Sequence, residues 1–592
     1  FGSRHCGSIS SVRSCRELLE AGLTKIFPML RWLGLVLVGQ SAAVDVDIAV
    51  QTAPSTFTVR GEAHNDVNLF YGIPFSKPRT PPHRFEPPED YEHAPGAIYL
   101  AKDQKHECVQ SSGAGSEDCL YLDIYMPTSA STANTKPVLV WFHGGSWKTG
   151  SKNEYSGALW ASQQWTDDVD RVVVVTINYR MNILGFTDHD GLPKNLGMKD
   201  CIHALRWVKD HIGNFGGDTN AITIFGESAG SMNVVQLWGS PAARGLFHRA
   251  IAQSPYIWSY TYGTPIPDES MWVAKREKQS QCLEDAQATA CASLSGGVSN
   301  PDCSVQTPTF DEMKSAGCFG RWYGPMAEEG IISTTFHKDW CGSVDVGAGV
   351  PLLVGHNELE VNLWSLLGSY PTKEIQMRTW VDHLAPLSNG TAVFQCLGDL
   401  YKASGRLQDP FKGPGKPGTQ EEIYATSGVF FNSISQTLAQ LPNVHLFLFN
   451  ESADHTGYNL CQNPMGAHTC EVPFVITDVG KYDLNGTNAG FGAPMDTAVQ
   501  RNMRKVWANF ATTGNPGWAH DEVGIFMDEE LEIRGNRDAF IPAASTLLTK
   551  LMCHPASIAP TCPIPETHTC GDMKRLFRRN HCCGNPGKTF HM

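Results

Sequence analysis

The sequence predicts an α/β fold, with helices on both faces of a large, mainly parallel sheet. Two observations carry this. Continuous apolar runs, Val138-Leu139-Val140-Trp141-Phe142 and Val172-Val173-Val174-Val175-Thr176-Ile177, suit strands buried on both faces of a parallel sheet. Helical patterns lie between such runs, as from Met198 to Ile212, where apolar residues recur at three- and four-residue spacing. The 592-residue length exceeds what a single small core fills, about 250–300 residues. It calls for one large elaborated domain or two, and residues 44–552 are assigned to one.

Composition narrows the class. Hydrophobic residues make up 41% and charged residues 18%, which suits a globular protein and excludes disorder and coiled coil. With 46 Lys+Arg against 60 Asp+Glu the net charge is −14, so there is no basic footprint for nucleic acid. No uncharged apolar run reaches membrane-spanning length, about 18–20 residues, which rules out a multi-pass membrane protein and predicts no transmembrane segment.

The chain begins at Phe1, and residues 1–28 lack periodicity; they are expected to be a non-native or upstream extension. Met29-Leu30-Arg31, the apolar Trp32 to Val38 and the small residues around Ala42-Ala43 follow. A basic start, an apolar stretch and a small-residue zone predict a signal peptide over 29–43. Removing Cys6 and Cys15 leaves sixteen of the eighteen cysteines, an even number that suits an oxidising compartment. Asn389-Gly390-Thr391, Asn450-Glu451-Ser452 and Asn485-Gly486-Thr487 are glycosylation triplets. All point to a secreted protein or one in the secretory-pathway lumen.

Further along, Phe57 to Arg60 and Val67 to Tyr71 read as short strands before a Pro-rich loop at 74–88. Leu120 to Tyr125 alternates as a half-buried strand. Residues 260–320 and 400–425 are rich in Gly, Ser, Pro and Cys and read as loop excursions. Residues 553–592 form a Cys-rich tail with a basic stretch from Lys574 to Arg579. Its Cys553, Cys562, Cys570, His581, Cys582 and Cys583 lack metal-finger spacing, so no metal is assigned.

The chemistry concentrates at Gly226-Glu227-Ser228-Ala229-Gly230, a G-x-S-x-G between the strand Ala221 to Phe225 and a helical Ser231 to Trp238. So tight a strand–turn–helix forces Ser228 into a strained backbone and exposes its hydroxyl at the strand ends. The following helix N-terminus favours negative charge there. An attacking serine alkoxide creates an oxyanion, which needs preorganised N–H donors worth roughly 3 kcal/mol each. Ala229 supplies one. His143-Gly144-Gly145-Ser146, after the strand 138–142, supplies Gly145 and Ser146.

The elbow implies the chain order nucleophile, acid, histidine. Val350 to Gly355 reads as a strand, after which Glu358 and Glu360 are equal candidates for the acid. Val444 to Phe449 reads as the next strand, and the loop beyond it holds His455 and His468. The histidine takes the serine proton and the carboxylate holds the imidazolium. No cofactor is needed.

These residues resemble the type-B carboxylesterase/cholinesterase family, a family of α/β-hydrolase fold. Glu117-Asp118-Cys119-Leu120-Tyr121-Leu122-Asp123-Ile124 is similar to one family signature, and Phe225-Gly226-Glu227-Ser228-Ala229-Gly230-Ser231 to the nucleophile signature. Phe215-Gly216-Gly217-Asp218 and Trp507 to Pro516 also match, and the resemblance spans about 45–550. Gly355-His356-Asn357-Glu358-Leu359-Glu360 resembles the family's G-x-N-x-D-E-G, which implies that Glu360 is the acid; Leu359 and Val361 depart from it. Met465 to Phe474 resembles the histidine loop and implies His468. The family's third oxyanion-loop glycine is Ser146 here.

The resemblance further implies a Cys108–Cys119 disulfide and an Arg84–Glu117 ion pair. Cys461 and Cys470 flank His468, and a local disulfide between them is a further expectation. The loop from Val109 to Asp118 is short and carries no aromatic residue, which argues against the quaternary-ammonium site of cholinesterases. The reading is a secreted serine hydrolase acting on small-molecule or lipid esters, with no oligomeric state specified. The competing reading is a catalytically silent adhesion or binding member of the fold. Silent relatives typically lose a triad member, whereas Ser228, Glu360 and His468 are all present.

Overall fold

The computed structural model describes residues 44–52, 55–162, 171–256, 281–293, 304, 306–319, 324–332, 346–357, 360–361, 390–403, 426–450, 467–478, 498–527, 530–535, 547 and 553. Residues 1–43 and 554–592, with the expected extension, signal peptide and nearly all of the tail, lie outside them. The chain divides into the units Phe1–Val44 and Asp45–Met592, and all described residues but Val44 fall in the second.

The strands run in chain order as β1 (Val44–Thr52), β2 (Ser55–His64), β3 (Val67–Pro74), β4 (Ile98–Leu100) and β5 (Tyr121–Pro127). Next come β6 (Lys136–Phe142), β7 (Tyr155–Ser156), β8 (Val173–Ile177), β9 (Gly217–Glu227) and β10 (Arg249–Gln253). The last are β11 (Leu352–Asn357), β12 (Val444–Phe449), β13 (Thr477–Asp478), β14 (Glu522–Met527) and β15 (Glu530–Gly535). Among the described residues, thirteen of these strands form one sheet in the order β1-β2-β3-β5-β8-β6-β9-β10-β11-β12-β14-β15, with β4 beside β2; β7 and β13 pair separately.

The run from β8 through β6, β9, β10, β11 and β12 to β14 is parallel. Antiparallel pairs bound it on both sides, β5–β8 and β3–β5 on one and β14–β15 on the other. This is the predicted α/β-hydrolase architecture, with a parallel centre and antiparallel margins. Alternate residues of β6 feed opposite cores: Val138, Val140 and Phe142 pack on one side, Leu139 and Trp141 on the other. Strand side chains alternate between faces, so a strand buried on both needs an unbroken apolar run.

The half-buried reading of β5 is corrected. It lies between β3 and β8, and every residue from Leu122 to Pro127 is buried. Asp123, the one charged residue of the alternation, is buried against Lys152 Nζ at 2.7 Å, so alternation here marks a buried ion pair rather than solvent. The stretch 260–320 contains a helix, Phe310–Ser315, opened by a Thr309–Glu312 capping box.

The helix Leu196–His211 buries Leu196, Met198, Ile202, Leu205 and Val208 and exposes Arg206 and Asp210, the amphipathic pattern of a sheet-covering helix. The helix Ala229–Gly239 is buried from Ala229 to Trp238. Parallel packing puts the carboxyl ends of β6, β9, β11 and β12 on one rim of the sheet. The loops that follow them carry Gly145, Ser228, Glu360 and His468.

Candidate active site

Ser228 is the hinge between β9 and the helix Ala229–Gly239, with φ 54° and ψ −121°. A non-glycine residue there carries backbone strain of order 1–3 kcal/mol. The surroundings hold it: the Ser228 N–H donates to Gln253 O at 3.0 Å and its carbonyl accepts from Met232 N at 3.0 Å. Gly230 is sterically required, because a Cβ there would stand 2.0 Å from Phe142 O at the end of β6.

The structure brings together three of the side chains singled out above. Ser228 Oγ is 2.9 Å from His468 Nε2, and His468 Nδ1 is 2.7 Å from Glu360 Oε2. The other Glu360 oxygen accepts from the Asn357 N–H at 2.6 Å. The His468 N–H donates to Glu360 O at 3.2 Å, so backbone as well as side chain joins the two loops. All three residues are buried. The alternatives Glu358 and His455 lie outside the described residues, as does Cys461; Cys470 is disulfide-bonded.

The loop after β6 has three consecutive residues at positive φ: Gly145 (102°), Ser146 (59°) and Trp147 (54°). Its start lies against Ser228, since a Cβ on Gly144 would stand 3.2 Å from Ser228 Cβ. His143 Nδ1 donates to Gly144 O at 2.9 Å. Gly145 O accepts from Lys148 N at 3.0 Å and Thr149 N at 3.1 Å. In a trans peptide the C=O and N–H point in opposite directions. The N–H groups of Gly145 and Ser146 are therefore turned away from these donors.

Electrostatics gather around His468. Burial disfavours the charged ring, but Glu227, the Glu360 hydrogen bond and charge, and Glu471 outweigh it and raise His468 to about 9. Glu227 Oε1 lies 3.1 Å from Nε2. Burial lifts Glu227 well above the usual carboxylic range, against the pull of His468. Burial, with the Glu360 charge, lifts Glu471 to about 7. An aromatic wall adjoins the ring: Phe431 is 4.7 Å from His468 and 4.7 Å from Phe430. Phe430 stacks on Tyr256 at 5.5 Å, and Tyr256 lies 5.8 Å from Trp147. Phe430 and Phe431 ride on a π-helical turn, Gly428–Asn432, a distortion frequent at functional sites.

Residues 49–524 match the model of the carboxylesterase family. The chain belongs to the carboxylesterase family. Membership carries carboxylic ester hydrolysis by a serine hydrolase. The chain is 36% identical over 534 residues to the medium-chain fatty acyl-CoA hydrolase precursor of Anas platyrhynchos, covering 84% of this chain and 88% of that one. It is 39% identical over 496 residues to the human cocaine esterase, covering 79% and 82%. The crystal structure of a Geobacillus stearothermophilus carboxylesterase superposes with a TM-score of 0.61 at 26% identity, covering 84% of this chain and 99% of that one.

In this carboxylesterase Cys108 and Cys119 are joined by a disulfide, and Arg84 meets Glu117 through two 2.7 Å hydrogen bonds. Sequence reasoning missed the residues behind the site. Asn357 spans two carboxylates, its N–H on Glu360 and its Nδ2 donating to Glu471 Oε2 at 2.6 Å. Gln253 Nε2 donates to Glu471 Oε1 at 3.4 Å, and Trp507 Nε1 to Gln253 Oε1 at 3.3 Å. The signal was present for two of them, because Asn357 and Glu471 fall inside the acid and histidine motifs. For Gln253, at the end of β10, no pattern announces a role.

Proposed function

We propose that Ser228, His468 and Glu360 are the catalytic triad of a secreted serine esterase, with the oxyanion hole formed by the N–H groups of Gly145, Ser146 and Ala229. The observation that carries this is the unbroken chain from Ser228 Oγ through His468 to Glu360, at 2.9 and 2.7 Å, on the carboxyl rim of the parallel sheet. Ser228 Oγ attacks the ester carbonyl carbon while Nε2 takes its proton. Glu360 fixes the ring tautomer and holds the imidazolium. The oxyanion meets the backbone donors. Collapse expels the alcohol, which takes the proton from Nε2. Water then attacks the acyl-enzyme by the same route and releases the acid.

The aromatic side formed by Trp147, Tyr256, Phe430 and Phe431 suits an apolar portion of a small-molecule or lipid ester. Relatives named for fatty acyl-CoA and cocaine hydrolysis make thioesters and bulky esters candidates too. The silent-binding alternative leaves the hydrogen-bonded triad and the strained Ser228 without a purpose. Secretion is supported by the signal-peptide pattern at 29–43 and the paired cysteines; N-terminal sequencing of the mature protein checks it. Among the described residues no helix is long and apolar enough to cross a membrane.

The decisive experiment is a screen of p-nitrophenyl esters of graded acyl length, wild type against Ser228→Ala. The wild type turns over at least one ester, and the variant loses roughly 10⁴-fold or more. Equal turnover by both would discard the assignment.

A further inference from the structure

A second loop stands behind the oxyanion loop and belongs to the Cys108–Cys119 disulfide. Its residue Gln110 is buried. The Gly150 N–H donates to Gln110 Oε1 at 2.9 Å, and Gln110 Nε2 donates back to Gly150 O at 3.1 Å. One side-chain amide thus occupies both backbone groups of the residue that ends the oxyanion loop. The same Nε2 also donates to Cys108 O at 2.7 Å, tying the pair to the disulfide itself.

Neighbouring bonds run the same way. The Ser111 N–H donates to Lys148 O at 2.8 Å, and the Asn182 N–H to Trp147 O at 2.8 Å. Asn182 Nδ2 donates to both Val109 O at 2.7 Å and Lys148 O at 3.2 Å, bridging the two loops. Gly150 has φ +104°, and a Cβ there would meet Gly144 O and His143 Nδ1, each at 2.6 Å. The end of the oxyanion loop therefore packs on its beginning, and what fixes Gly150 fixes the peptide of Gly144 and Gly145.

We propose that Gln110, anchored by the Cys108–Cys119 disulfide, is a positioning residue for the oxyanion hole: by holding Gly150 it keeps the 144–150 loop in the shape that presents the Gly145 and Ser146 N–H groups. The inference rests on the esterase reading above. Donor placement is a steep function of geometry, since a shift of about 1 Å can cost 10²-fold in rate. Three positive-φ residues in succession do not hold that shape without outside support. Gln110 touches no reacting atom and acts through Gly150.

The test compares wild type with Gln110→Met, which keeps the volume and loses the amide, and with Asn182→Gly. Asn182 has φ 54°, which glycine adopts without strain, so the second variant removes the bridge and keeps the backbone. Ser228 is titrated to completion with a fluorophosphonate so that kcat is expressed per intact site. Gln110→Met is expected to lower kcat per site by about tenfold to hundredfold with KM within about threefold. It should weaken a trifluoromethyl ketone inhibitor by a similar factor and speed amide exchange across residues 144–150. Asn182→Gly moves each readout in the same direction by less.

A purely structural role would lower the titrated fraction and leave kcat per site intact. Wild-type kcat and inhibitor affinity in both variants, or unchanged exchange over 144–150, would overturn the inference. A wild type that neither hydrolyses esters nor labels at Ser228 would overturn the esterase reading instead, and amide exchange would still report whether Gln110 braces the loop.

Discussion

Two loops meet at Ser228 and are held by different chemistry. The loop at 143–150 is supported by neutral amides and carbonyls, from Gln110, Asn182 and Ser111. Burial drives its ionisable neighbours toward the neutral form, His143 to about 4 and Lys148 to about 8. The loop carrying His468 is instead ringed by three buried acidic side chains, Glu360, Glu227 and Glu471, of which burial lifts Glu227 and Glu471 toward the neutral form as well. The difference fits the roles proposed above for the two loops. An oxyanion hole must present fixed dipoles at any working pH, whereas a general base must gain and lose a proton. Dipoles suit the first and carboxylates tune the second.

The largest break in this comparison is expected at Glu360, the acid of the proposed triad. Glu360→Gln keeps the shape but removes the charge that holds the His468 tautomer, and kcat/KM should fall on the order of 10³–10⁴-fold. Steady-state kinetics per titrated site check this, and a loss below tenfold would move the acid elsewhere. A buried charge pair away from Ser228, His468 and Glu360 should affect the fold. Lys152→Met leaves the buried Asp123 carboxylate without its charge partner, with the Gly72 N–H still donating to it, and should cost roughly 3–5 kcal/mol, read by urea unfolding.

The next test concerns pH. His468 is raised partly by Glu471. Glu471→Gln removes that negative charge, so the imidazolium is less favoured and the ring loses its proton at lower pH. The acid limb of the kcat/KM profile should shift to lower pH; a limb that stays or rises would contradict the electrostatic account. The smallest effect is expected in the 143–150 loop. Ser146→Gly relieves a side chain at φ 59° and adds chain entropy to the unfolded state, so thermal unfolding should show a gain below about 1 kcal/mol. It should leave the pH limb unmoved.

The same contrast governs what the sequence reveals. β6 and β8 were legible because strands buried on both faces need long apolar runs, and Ser228 because its turn demands Gly226 and Gly230 around it. These constraints are local. The acid was ambiguous between Glu358 and Glu360, and the base between His455 and His468, because their choice is made by contacts over long separations; the family resemblance favoured Glu360 and His468. The alternation in β5 points to a solvated face where there is none, since a buried carboxylate paired with Lys152 looks in sequence like a solvated one. Gln110 and Gln253 were invisible for a related reason. A side-chain amide that braces distant backbone leaves no periodicity of its own.

The central claim is that the hydroxyl of Ser228 is the nucleophile. It is tested most directly by inactivating the wild-type protein with a fluorophosphonate and mapping the adduct by peptide mass spectrometry. The account predicts stoichiometric label on Ser228, with ester hydrolysis lost in proportion to labelling. Hydrolysis that persists with Ser228 fully labelled, or inactivation with the label on another residue, would contradict it.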